Sequence, residues 1–389
     1  LLITREVEDL FGEATVLNNI GYVYWDIGQL TEALEYYQQA LPISKKVGNR
    51  SLEITTLNNI GVIYGKVGRI IEALNYLNQA LVITKKVDNP SLEATTLNNI
   101  GRVYNDIGKY SEALNYYQQA LMITEKLGHP SLEATIFNNV GLVYNDIGKY
   151  SEALNYYQQA LIITQEVGNR SLQANILNRI GVVYTTIGKP EEALGYYEKT
   201  LGITKEVDNR SLEAKTLNNI GVVHENIEKL TEALDYYQQA LVIRSEVGDY
   251  AGEATTLNNI GGVYYKRGKL TEALKHYQEA LPIFQELDER LREGATINNI
   301  GLVYYEMEKL TEALNCFKQA LSITQEVNNR LGKARTLNNI GYVYRDTERP
   351  IEAIKYFENA VNITLEMRQG LKREDRKAFL KQEQDTAMH

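Results

Sequence analysis

Three features of this chain predict an all-α solenoid of stacked helix hairpins. The stretch Leu17-Asn18-Asn19-Ile20-Gly21 recurs nine times at an unbroken spacing of 40 residues, placing glycines at 21, 61, 101, 141, 181, 221, 261, 301 and 341. Apolar residues inside each unit follow a helical period, as in Leu57, Ile60, Gly61 and Tyr64. Turn formers separate the runs at fixed places, Asn49 before one and Gly68 after it.

Taken in order, Asn49 is a helix N-cap, with equivalents at Asn89, His129, Asn169, Asn209, Asp249, Glu289 and Asn329. Pro90 and Pro130 follow two of them at the first helical position, where proline loses no bond. The first helix of the unit, helix A, is expected over about 50–66. Gly68 suits a left-handed C-terminal turn. Glu228, Glu308 and Glu348 replace that glycine, so those ends should be strained by about 1 kcal/mol or built differently. Helix B is expected over about 71–87, with Ala73, Leu74, Leu77, Ala80, Leu81 and Ile83 inward. Pro42 and Pro282 fall inside B helices and should kink or shorten them. Residues 1–14 align with 41–54, so the chain opens inside a repeat, and segments upstream are expected to be missing. The array is read as residues 1–368. Residues 369–389, with Leu371, Ala378, Phe379 and Leu380, are expected to form a capping or linking helix.

Bulk composition narrows the function. A net charge of −9 argues against nucleic acid as a partner. No apolar run has membrane-spanning length, and no leader precedes the array, so a cytoplasmic protein is expected. The one cysteine, Cys316, allows no internal disulfide and no cysteine-based metal site. No phosphate-binding loop, zinc-protease or nucleophile-elbow motif occurs. No catalytic, cofactor or metal residue is therefore assigned, and the segment is expected not to be an enzyme. Of 28 tyrosines, 21 fall in the columns headed by Tyr24, Tyr36 and Tyr37, which makes them packing residues. His224, His276 and Cys316 stand in the same columns and read as packing substitutes.

The order Leu17-x-x-Ile20-Gly21-x-x-Tyr24, then Ala33-x-x-x-Tyr37, then Ala40, resembles the tetratricopeptide repeat. The 40-residue unit resembles the long form found in kinesin light chain and the Pins/LGN scaffolds. The tryptophan and final proline of the family pattern are missing here. The resemblance implies a right-handed superhelix of helix hairpins, with A helices lining a concave groove. It also implies that the asparagine before the Ile-Gly step holds the backbone of an extended peptide. That column is Asn19, Asn59, Asn99, Asn139, Arg179, Asn219, Asn259, Asn299 and Asn339. Bacterial arrays that look like this one are often fused to a CHAT peptidase or an NB-ARC ATPase domain.

Helical spacing assigns positions 15, 18, 19, 22, 25 and 26 of the unit to the groove side, with the alternative for the two asparagine columns that each serves an inter-repeat hydrogen bond required at every joint. Variable residues there should set specificity: Tyr22 and Arg102 in one column, Trp25, Tyr265 and Tyr305 in another. The groove columns carry charges of both signs, so a mixed or amphipathic peptide fits better than a polyion. The chain is thus expected to be a protein–protein interaction scaffold, monomeric, holding a peptide or protein segment in its groove. The alternatives are a spacer or self-association module, or the sensor part of a larger enzyme. Residues 103–121 and 143–161 are identical, which favours the spacer.

Overall fold

The computed structural model describes residues 9–369, and these form eighteen α-helices without a strand. Odd-numbered helices are the A helices: α1 (Leu10–Asp26), α3 (Arg50–Lys66), α5 (Pro90–Asp106), α7 (Pro130–Asp146), α9 (Arg170–Thr186), α11 (Arg210–Asn226), α13 (Tyr250–Lys266), α15 (Arg290–Glu306) and α17 (Arg330–Asp346). Even-numbered helices are the B helices: α2 (Leu30–Lys46), α4 (Ile70–Lys86), α6 (Tyr110–Leu127), α8 (Tyr150–Glu166), α10 (Pro190–Glu206), α12 (Leu230–Val247), α14 (Leu270–Glu286), α16 (Leu310–Glu326) and α18 (Pro350–Gln369). Residues 1–8 and 370–389, with the opening part-repeat and most of the capping segment expected there, lie outside the described residues.

The caps form as their residues dictate. Asn49, Asn89, Asn169, Asn209, Asp249 and Asn329 each accept from the backbone N–H three residues on. His129 and Glu289 make no such bond. At the A-to-B turn, the Gln29 N–H donates to Tyr24 O at 2.8 Å and the Gly28 N–H to Trp25 O at 3.1 Å, closing the helix end around a left-handed residue. Glu228, Glu308 and Glu348 adopt the same left-handed turn, with φ of 61°, 59° and 57°. They are therefore strained in place, not rebuilt. Pro42 and Pro282 do not shorten their helices: α2 and α14 keep the 17 residues of α4. Both prolines stand on the exposed side, where the ring displaces no packed neighbour.

The chain divides into two compact units, Leu1–Ile176 and Leu177–His389, the boundary falling within α9. Within the first unit, each of α1, α3, α5 and α7 packs on its own B helix, and α2, α4 and α6 each pack on the next A helix. Successive A helices also touch, α3 with α5 and α5 with α7. The second unit repeats the scheme, with A-helix contacts α11–α13, α13–α15 and α15–α17. In each unit the A helices thus form a continuous row. The core lies between rows, built from Ala33, Tyr37, Ile60, Ile63, Leu77 and their equivalents.

Gly21 and its equivalents explain how closely the hairpin halves approach. A Cβ on Gly221 would lie 2.5 Å from the Tyr237 ring. The tyrosine columns then stack across each hairpin, Tyr24 on Tyr36 at 5.3 Å and Tyr64 on Tyr76 at 5.5 Å. His224 stacks on Tyr236 and His276 on Tyr264 in the same way, so both histidines act as ring substitutes. Burial lowers the His224 pKa and keeps its ring neutral at physiological pH.

Candidate functional site

The row of A helices carries the candidate site, and the two neighbouring asparagines of each repeat take different roles in it. The first asparagine turns inward between repeats. Asn58, Asn98, Asn178, Asn218 and Asn298 are buried, where groove exposure was expected for this column. The reason is a hydrogen-bonded joint. Asn218 Oδ1 accepts from Thr256 Oγ1 at 3.3 Å and from Asn259 Nδ2 at 3.1 Å, both on the next A helix. The same threonine and asparagine donors reach Asn18, Asn258 and Asn298. At Asn58 and Asn178 the acceptor takes only the asparagine, and the amide Nδ2 gives its proton to the threonine at 2.9 Å. Asn98 is reached by Asn139 alone, since Ile136 replaces the threonine. The Asn138 carbonyl is buried without a partner, and the positions 38 and 41 residues on hold Ile176 and Arg179.

The second asparagine bridges that joint to the surface. Asn19 is exposed, Asn59, Asn99, Asn139, Asn219, Asn259 and Asn299 are half-buried, and Asn339 is buried. The joint engages Nδ2 of each from Asn59 on, except where Arg179 takes the place. For Asn259 and Asn299 this leaves Oδ1 with no hydrogen bond among the described residues. Arg179 is half-buried, and its charge, after the partial burial of the ammonium, helps hold Lys215 below the usual lysine range.

The variable columns are drawn together in pairs. In the first unit, Tyr22 and Trp25 lie 5.7 Å apart, and Lys66 of the next repeat sits 5.1 Å over the Trp25 ring. Burial and the nearby Arg102 pull the Lys66 pKa down. In the second unit, Tyr265 Oη donates to Glu306 Oε1 at 3.4 Å, and Tyr305 Oη donates to Asp346. Burial, then the neighbouring carboxylate, pushes each of these phenols up to about 12. Glu225 faces Lys266 at 3.1 Å, and Asn105 Nδ2 donates to Asp146 at 3.4 Å. Position 25 of one repeat thus meets position 26 of the next, 41 residues on. Reading the two columns with that offset would have exposed these pairs in the sequence.

A further set of charges, opposite in the hairpin, was missed as a unit. Arg210 pairs with Glu213 and with Glu246, each at 2.7 Å, and Arg290 joins Glu293 and Glu326 in the same pattern. Glu213 and Glu293 are buried, so each arginine satisfies one buried and one exposed carboxylate. These residues brace a joint, and Glu213 also lines a cleft with Leu201, Lys205, Leu217 and Tyr236. Among the described residues, no group of three or more His, Cys, Asp or Glu side chains could hold a metal ion. No helix among them is long and apolar enough to cross a membrane.

The model of the tetratricopeptide repeat matches residues 12–86, 52–126, 132–206, 212–286 and 293–366. The chain belongs to the tetratricopeptide repeat family. No curated protein matches it in sequence. Among solved structures, it is similar to a Rap protein complexed with Competence and Sporulation Factor, at 16% identity and TM-score 0.63, covering 92% of this chain and 99% of that one. It is similar to the apo quorum sensor NprR from B. thuringiensis, at 18% identity and TM-score 0.63, covering 88% and 98%. A third is the STAND protein with a tetratricopeptide repeat sensor from Pyrococcus horikoshii, at 15% identity and TM-score 0.64, covering 91% of this chain and 55% of that one. At these identities the likeness is one of fold.

Proposed function

We propose that the A-helix face binds an extended peptide or protein segment, and that the chain serves as an interaction scaffold within a signalling protein. The observation that carries this is the fixed second amide. Its Nδ2 is tied into the joint, so Oδ1 is already oriented and needs no ordering when a peptide N–H arrives. Asn259 and Asn299 offer such acceptors on successive A helices, an arrangement suited to an extended backbone. Family membership supports a protein-interaction role, as do neighbours named for a bound factor, a quorum sensor and a repeat sensor. Tyr22, Trp25 and Arg102 in the first unit, and Tyr265 and Tyr305 in the second, would then select side chains.

The test is selection from a random peptide library, followed by fluorescence anisotropy on the wild type and on Asn259→Ala/Asn299→Ala. That pair is chosen because Asn218 and Asn258 keep their threonine donors when the second amide is lost. Each missing hydrogen bond is worth roughly 0.5–1.5 kcal/mol, so the pair should weaken binding about fivefold or more; the two joint bonds lost with it should lower the melting midpoint modestly while unfolding stays cooperative. Unchanged affinity, or a library that yields no binder, defeats the proposal.

A second reading has its own support. The pairs Glu225–Lys266, Tyr265–Glu306 and Tyr305–Asp346 consume much of the variable columns in internal bracing, as a spacer would.

A further inference from the structure

The row of A helices in the second unit has one gap. Position 22 of the repeat reads Val182, Val222, Gly262, Leu302 and Tyr342 there, so only α13 presents no side chain at that site. The atoms around the gap are polar. A Cβ on Gly262 would lie 3.7 Å from the Tyr277 hydroxyl and 3.9 Å from Glu225 Oε1. The Tyr277 ring is buried, yet its hydroxyl makes no hydrogen bond among the described residues. Its counterparts are engaged: Tyr197 Oη lies 3.2 Å from Thr185 Oγ1, and Tyr237 Oη donates to Glu225 Oε2 at 2.8 Å. Three residues along the same helix, Tyr265 Oη donates to Glu306, and Lys266 reaches Glu225 Oε1 at 3.1 Å. Glu225, Glu306 and Lys266 together leave one negative charge.

We propose that this notch receives the guanidinium of an arginine side chain from the bound segment. The proposal rests on the peptide-binding reading above and deepens it by naming a side-chain class. A guanidinium is flat, matches a carboxylate edge, and has donors left for a phenolic oxygen. The notch offers two acceptors, Glu225 Oε1 and Tyr277 Oη, both within 4 Å of the missing Cβ and so within the span of a planar fork. A lysine ammonium meets the charge but not the fork. A carboxylate or phosphate is opposed by Glu225 and Glu306. Lys266 competes for the same carboxylate, so it sets how tightly the guest is held.

The test uses the full chain with ring-labelled tyrosine, titrated with N-acetyl-arginine amide and, separately, N-acetyl-citrulline amide, followed by NMR in the millimolar range. The arginine probe should move the Tyr265 and Tyr277 signals, identified through Tyr265→Phe and Tyr277→Phe, and the citrulline probe should not. Gly262→Val copies the residue that Val182 and Val222 place in this column, so it folds, and it should abolish the shifts. Glu225→Gln should abolish them as well. Lys266→Met should strengthen binding by about two- to fivefold, the worth of a partly exposed ion pair. Equal response to both probes, or shifts that survive in Gly262→Val, overturns the notch. Failure of the arginine probe while library peptides still bind defeats the notch alone. Arginine binding without any library binder defeats the peptide reading alone.

Discussion

Gly221 shows how a single missing Cβ sets the geometry of a hairpin. Its helix stands so close to α12 that an added methyl would meet the Tyr237 ring at 2.5 Å. Gly221→Ala should therefore cost about 1–3 kcal/mol by overpacking, read as a lower urea midpoint with unchanged slope. The glycine column was legible in the sequence because a helix interior disfavours glycine, and its return at the same place in every unit points to a close approach of helices. The asparagines were less so. Asn218 and Asn219 are adjacent polar residues on one helix, and nothing local tells which turns inward. The deciding partners, Thr256 and Asn259, stand 38 and 41 residues away and act only once the next helix is in place.

Helix ends reward a local reading. Among the described residues, six of the eight cap positions read from the sequence form their bond, each through an asparagine or aspartate, and the A-to-B turn closes on a left-handed residue whether or not glycine fills it. Glu228, Glu308 and Glu348 hold that conformation at a penalty of about 1 kcal/mol each. The triple change to glycine should raise the thermal midpoint, and the absence of any gain would mean that the glutamates are held by contacts that offset the strain. Asp88, Asp208, Asp288 and Asn328 adopt positive φ at the B-to-A turn, where short polar side chains tolerate it better. The arginine bracing was harder to foresee, because Arg290 reaches Glu326 on a different helix of the same hairpin.

Along the whole array of described residues, buried phenols recur from repeat to repeat, and this makes stability sensitive to alkali. Burial pushes Tyr37, Tyr197, Tyr265 and Tyr305 up to about 12 from the ordinary value of 10.0. Tyr237 and Tyr277, beside Glu225, are pushed further. The unfolded chain releases these protons first, so the folded state binds more protons above the ordinary phenol value. Stability should hold up to about pH 10 and fall progressively between there and pH 12. A melting series with tyrosinate absorbance checks this: the phenols should ionise together with unfolding, and ionisation ahead of unfolding contradicts it. The division of the chain at Ile176 and Leu177 left no trace in the 40-residue spacing, which runs through it unbroken. Periodicity fixes what each unit is made of, whereas the strength of any one joint depends on the individual donors it holds.

The asparagine joint has a consequence for how such a gene can grow. Acceptor and donors stand at the same positions in nearly every repeat, so a copied segment inserted by unequal crossing-over arrives with its own half of each bond ready. The matching stretches 103–121 and 143–161 are what such an event leaves behind. Lengthening the array then asks for no redesign of the seam, and selection is free to act on the side chains that face outward.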